Sequence, residues 1–131
     1  MQPTSAMEDY LEALLRLQNK GQETRVKDLA EELNIKPPSV IDMIKTLVSK
    51  GYVTQENRKE ILLTESGMEI AKKTHIKHDV IKQFLNEILS VDEATADQDA
   101  CKIEHCISQT TYEQLVKFMD IFNKDTNLRN K

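Results

Sequence analysis

No stretch of this sequence stays apolar for anything near the roughly 20 residues that cross a bilayer. Its opening, MQPTSAMEDY, has neither the basic nor the apolar region of a secretory signal. The expectation is therefore a protein without a membrane partner that stays in the cytoplasm. Glycine is scarce, with three residues in 131, so no Gly-rich catalytic loop is available. There is no internal repeat and no low-complexity segment. A basic excess, the usual signature of a generic nucleic-acid binder, is also missing, since the net charge is −4. Only two cysteines are present, Cys101 and Cys106. On a helix they would point about 140° apart, at about 100° per residue, and could not bridge within it. This argues against a disulfide scaffold and leaves a thiolate ligand or a plain buried thiol in a reducing compartment.

The charge is unevenly distributed. From Arg25 to Glu60 basic and acidic residues roughly balance, whereas acid gathers at Glu8, Asp9 and Glu12 and again from Glu87 to Glu104. The apolar residues follow two different periods. Met7, Tyr10, Leu11, Leu14, Leu15 and Leu17 repeat at helical spacing over Ser5 to Asn19. Val26, Leu29, Ala30 and Leu33 predict a short second helix ending near Asn34, and Pro37-Pro38 suit only the first turn of a third, expected to run to about Lys50 with Val40, Met43, Ile44, Leu47 and Val48 inward. After Gly51 the pattern becomes strand-like around Tyr52–Thr54 and Glu60–Leu63, with a polar turn at Asn57, Arg58 and Lys59. Three helices followed by a hairpin is the winged helix-turn-helix order. Thr64 then suits an N-cap for a long helix, and two more helices are expected at about Asp92–Ser108 and Thr111–Phe122, with a polar tail that frays. The expected fold is mainly α with a small β-wing: a winged helix-turn-helix domain over 1–63 and a helical domain over 64–131. Phe84, Leu85, Ile88, Leu89, Leu115, Phe118 and Phe122 exceed what so small a domain can cover, which predicts a homodimer.

Cys101, Glu104 and His105 bring together the three side-chain types that most often ligate transition metals, within an arc of about 100° on a helix. A buried thiol beside a surface Glu and His would give the same triplet. Asp9 and Glu12 face one way on the first helix, where they could equally form a solvated acidic face, and His78 lies on the long helix. In the helix-turn-helix, Lys36, Pro38, Ser39 and Asp42 open the third helix, the part that meets base edges in this motif, while Lys27, Lys45, Arg58 and Lys59 are placed for phosphates.

The stretches MEDYLEALLRL, VKDLAEELNIKPPSVIDMIKTLVSKGYV, ILLTESG, KHDVIKQFL and DACKIEHCIS, in that order and spacing, resemble the diphtheria-toxin-repressor (DtxR) family of metal-dependent regulators and, within it, the short manganese-transport-regulator (MntR) branch. The resemblance implies a repressor of metal-uptake genes that binds operator DNA as a homodimer when a divalent ion occupies an interdomain site. It carries the ligand positions onto Asp9, Glu12, His78, Cys101, Glu104 and His105. Cys101 follows the family's iron branch and Asp9 its manganese branch, while Lys82 stands where relatives commonly carry a carboxylate. Oxygen donors suit Mn²⁺ and a thiolate suits softer ions, so Mn²⁺ or Fe²⁺ is expected, with Zn²⁺ able to bind in vitro. Two other readings remain: a metal-independent winged-helix regulator that answers a small organic effector or a protein partner, and a metalloenzyme using Glu12 as base. The enzyme would leave the helix-turn-helix idle, so the expectation is no enzymatic activity.

Overall fold

Helix α1 (Ser5–Asn19) begins where the Thr4 hydroxyl accepts the Met7 amide at 3.2 Å, satisfying one of the donors a helix start leaves open. The computed structural model describes residues 3–57 and 59–129, the last four of these by backbone alone. The chain divides into two compact units, Met1–Thr74 and His75–Lys131. The six apolar residues that set the period of α1 are all buried in the core of the first unit. Helix α2 (Val26–Leu33) starts with the Asp28 carboxylate accepting the Arg25 amide at 2.8 Å and stops at Asn34, whose left-handed φ of 55° ends the winding. Helix α3 (Pro37–Ser49) carries its two prolines in the first turn, and Gly51, at φ 80°, turns the chain out of it.

Strands β1 (Val53–Gln55) and β2 (Ile61–Leu63) pair antiparallel, Val53 opposite Leu63 and Gln55 opposite Ile61, forming the wing. Val53 and Ile61 point into the core formed by Leu11, Leu29, Val40, Ile44 and Leu47. Val48, expected inward, is 43% exposed. It lies one position past Leu47, and about 100° of rotation carries it off the buried face. Helix α4 (Glu65–Gln83) starts on Thr64, which caps the Gly67 amide at 3.2 Å as expected. The division between the units falls inside α4, eleven residues after the expected boundary at 63/64.

In the second unit α4 passes into a π-helical turn (Phe84–Ile88), followed by α5 (Glu93–Ile103) and α6 (Gln109–Arg129). The Asp92 carboxylate caps α5 by accepting the Thr95 amide at 3.0 Å. Helix α5 is shorter than the sequence predicts and α6 longer. Residues 104–106 form a turn instead of continuing α5, and the polar tail expected to fray is helical to Arg129. Phe84 and Phe118 meet edge to face with centroids 6.1 Å apart, and Gln83 donates to Asn123 at 2.7 Å. Among the described residues of this unit the buried apolar side chains are few, namely Ile81, Ala96, Ala100 and Met119.

Candidate metal centre and nucleic-acid interface

In the second unit, α5 and the turn after it place three ligand types together. Cys101 is on the last turn of α5, Glu104 keeps helical dihedrals as its C-cap, and His105 follows, so the helical phase persists just far enough to keep all three on one side. The Cys101 sulfur, a Glu104 oxygen and a His105 ring nitrogen lie within 4.8 Å of one another. Atoms that each bind an ion at about 2.0–2.3 Å stand at most about 4.6 Å apart, so this group fits a transition metal after a small contraction. Glu104 is the most buried of them, at 2% exposure, an uncommon setting for a carboxylate that lacks a cationic or hydrogen-bonding neighbour. Its neighbours are histidines: His78 Nδ1 lies 3.1 Å from one carboxylate oxygen and His105 Nε2 lies 3.3 Å from the other.

His78 also reaches Asp97, whose Oδ1 lies 2.8 Å from its Nε2. That contact, together with the nearby Lys82 ammonium, holds the Asp97 carboxyl below the ordinary carboxylate range, against the opposing effect of partial burial. Sequence reasoning did not single out Asp97, although a signal existed. Asp97 precedes Cys101 by four residues and so shares its helix face. Neither cysteine is in a disulfide and both are exposed, and Cys106 lies beyond the end of α5, so helical phase no longer separates them as the sequence suggested. His75 stands apart from the group and pairs with Asp79 at 3.3 Å.

Within the first unit, Asp9 and Glu12 stand three apart on α1. Glu12 is buried, 3.5 Å from Arg16, which also donates to Glu32 at 3.2 Å; Asp9 is half-buried. The residues expected to meet DNA are on the surface. Lys27 is exposed on α2; Lys36, Pro38, Ser39, Asp42 and Lys45 are exposed on α3 and at its start; and Lys59 is exposed in the wing turn. Arg58 lies outside the described residues. Among the described residues no ion pair engages Lys27, Lys36, Lys45 or Lys59. One residue of that surface was not anticipated. Ile41 is 41% exposed, three residues from Pro38 and four from Lys45, on the outward face of α3. The inward set read from the sequence, Val40, Met43, Ile44, Leu47 and Val48, leaves Ile41 out but gives it no role.

Residues 3–61 match the iron dependent repressor family's N-terminal DNA binding domain, and residues 64–128 match its metal binding and dimerisation domain. The chain belongs to the iron-dependent repressor family. Its members are metal-dependent transcriptional repressors, regulators of transcription and not enzymes. An uncharacterised HTH-type transcriptional regulator of Methanocaldococcus jannaschii is 44% identical over 91% of this chain and 96% of its own length. Among solved structures, the manganese regulator SloR superposes with a TM-score of 0.78 at 29% identity, covering 92% of this chain and 55% of its own. The metal-dependent transcriptional regulator MtsR gives 0.80 at 29% identity over 87% of this chain and 53% of its own. ScaR with bound Zn²⁺ gives 0.74 at 27% identity over 87% and 53%. The chain thus spans about half the length of these solved regulators. Among the described residues no helix is long and apolar enough to cross a membrane.

Proposed function

We propose that this repressor is a homodimer that binds its operator when Mn²⁺ or Fe²⁺ is held by Asp9, Glu12, His78, Cys101, Glu104 and His105, and that the genes it controls serve metal uptake. The observation that carries this reading is the convergence of Cys101, Glu104 and His105, with His78 on the same buried carboxylate. Bound there, a divalent ion supplies positive charge to a group dominated by carboxylate and thiolate. Without it, Asp9 and Glu12 of the head and the ligands of the second unit repel one another, and the two units favour separation. With it, these side chains tie head to dimerisation domain and fix the separation of two recognition helices, which selects the arrangement that fits two operator half-sites. The carboxylates favour Mn²⁺ and the Cys101 thiolate favours Fe²⁺.

On the duplex, Lys36, Pro38, Ser39 and Asp42 are the residues proposed to face base edges, while Lys27, Lys45, Arg58 and Lys59 meet phosphates. The test uses DNA from upstream of the gene, with metal binding, sedimentation and operator affinity measured side by side. Glu104→Ala, His105→Ala and Asp9→Ala should each abolish metal-stimulated DNA binding while the dimer persists. Cys101→Ser should bind more weakly and shift preference away from thiophilic ions. Glu113→Ala, an exposed position, is the control. Normal metal-dependent DNA binding by both Asp9→Ala and His105→Ala would leave a metal-independent winged-helix regulator as the better account.

A further inference from the structure

A second set of side chains meets behind His78. Its Nε2 is 2.8 Å from Asp97 Oδ1, closer than the 3.1 Å between its Nδ1 and Glu104 Oε2. Lys82, one turn along α4, brings its ammonium 3.6 Å from the same Asp97 oxygen and 3.5 Å from Glu93. The His78 side chain is 14% exposed and that of Asp97 56%, so the ring is enclosed while its carboxylate neighbour stands toward solvent. A neutral imidazole has one N–H donor and one lone pair, and an ionised carboxylate can only accept. With one N–H to place, the shorter contact takes it, Nε2 facing Asp97, and the nitrogen on the side of the proposed ligand Glu104 keeps the lone pair that an ion needs.

We infer that Asp97, steadied by Lys82, is a positioning residue that keeps the proton of neutral His78 on Nε2 and leaves the Nδ1 lone pair on the Glu104 side. This rests on the reading that His78 is a metal ligand, and it adds which of its nitrogens donates and what fixes that choice. Carboxylates that hold the far nitrogen of a ligating histidine set its tautomer and ring orientation, and losing one typically costs about 10–100-fold in metal affinity. Lys82 acts at one remove and through a partly exposed pair, so its share is smaller.

The experiment uses the full chain. In metal-free protein, ¹⁵N-resolved NMR of the His78 ring, taken where the ring is neutral, reads the tautomer, and Mn²⁺ titration against a competing chelator reads affinity. The wild-type chain should show the Nε2–H form. Asp97→Ala should mix the tautomers and weaken Mn²⁺ binding about 10–100-fold. Asp97→Asn, which keeps an acceptor oxygen, should retain most of both properties; Lys82→Met should show a lesser loss, restored by Lys82→Arg. If Asp97→Ala keeps the wild-type tautomer, the inference is overturned. Weakened Mn²⁺ binding in that case would make Asp97 a ligand itself, and unchanged binding would leave it no role. A mixed tautomer with wild-type Mn²⁺ affinity overturns it as well. Should Asp97→Ala fail to fold, a wild-type tautomer and affinity in Lys82→Met would count against the proposal. The ligand reading fails separately, if His78→Ala binds Mn²⁺ as well as the wild-type chain.

Discussion

Gly67 shows how a single position can constrain the head. A Cβ built there would lie 1.9 Å from the Tyr52 carbonyl oxygen, so the first turn of α4 rests directly on backbone. Gly67→Ala should destabilise the protein by about 1–3 kcal/mol, the range for overpacking a site with no flexible neighbour to yield, and should lower the midpoint of thermal unfolding by several degrees. A midpoint within a degree of wild type would show that α4 can lift off Tyr52 at no cost. Asp92 gives a pH-dependent expectation. The Thr95 backbone amide it accepts lowers its carboxyl below the ordinary range. Its pKa being lower folded than unfolded, the stabilisation is fully present above the unfolded value and is lost as pH falls through the folded one. The stability difference between wild type and Asp92→Asn should therefore shrink on acidification below about pH 4 and vanish once Asp92 is protonated. Titrating urea unfolding of both across that range checks it. At this scale the sequence identified donors by chemical type but not their company. Cys101, Glu104 and His105 were found by local spacing, whereas Asp97 acquires its role from His78, 19 residues away.

The elements of the head were legible because each carries its own signals. Thr4 and Thr64 cap helices, Asn34 and Gly51 stop them, and the apolar period changes from helical to strand-like after Gly51. The second unit was read less accurately at its ends. Helical periodicity across Cys101–Ser108 cannot reveal that the chain turns at 104–106, because Glu104 keeps helical dihedrals while the Cys106 amide reaches back only three residues, to the Ile103 carbonyl. Likewise the polar residues after Phe122 have no apolar period, yet they extend α6. For the wing, Lys59→Ala should weaken binding to all duplexes by a similar factor and reduce the salt dependence by about one phosphate contact. A changed base preference with an unaltered salt slope would remove the wing from the phosphate role. On α3, Ile41→Ala should instead act selectively. Its exposed apolar side chain suits a thymine methyl, so affinity for the operator should fall by about 1 kcal/mol or more with little change in nonspecific binding. Equal losses on both kinds of DNA would contradict this.

For the molecule as a whole, the contrast between the two buried cores predicts assembly. The head encloses a broad apolar cluster, whereas the second unit leaves Ile76 56%, Leu89 55%, Phe118 46% and Ile121 63% exposed. Surface of that kind is characteristic of an interface. Phe118→Asp with Ile121→Asp should convert the proposed dimer to monomer in sedimentation at micromolar concentration while the head keeps its fold. A wild-type chain that sediments as a monomer with and without metal would end the dimer reading. This surplus of apolar residues is legible in the sequence, but not which of them a single chain covers, since Phe84 finds its cover in Phe118. The π-helical turn at Phe84–Ile88 has a consequence for length variation. Its Leu89 amide returns to the Phe84 carbonyl at 3.2 Å, one residue further back than an α-turn reaches. Excising one residue from a helix normally rotates everything beyond it by about 100°. Here the turn already contains a surplus residue, so a chain shortened by one at Glu87 can rewind this stretch as ordinary α-helix and keep the positions on either side nearly in place.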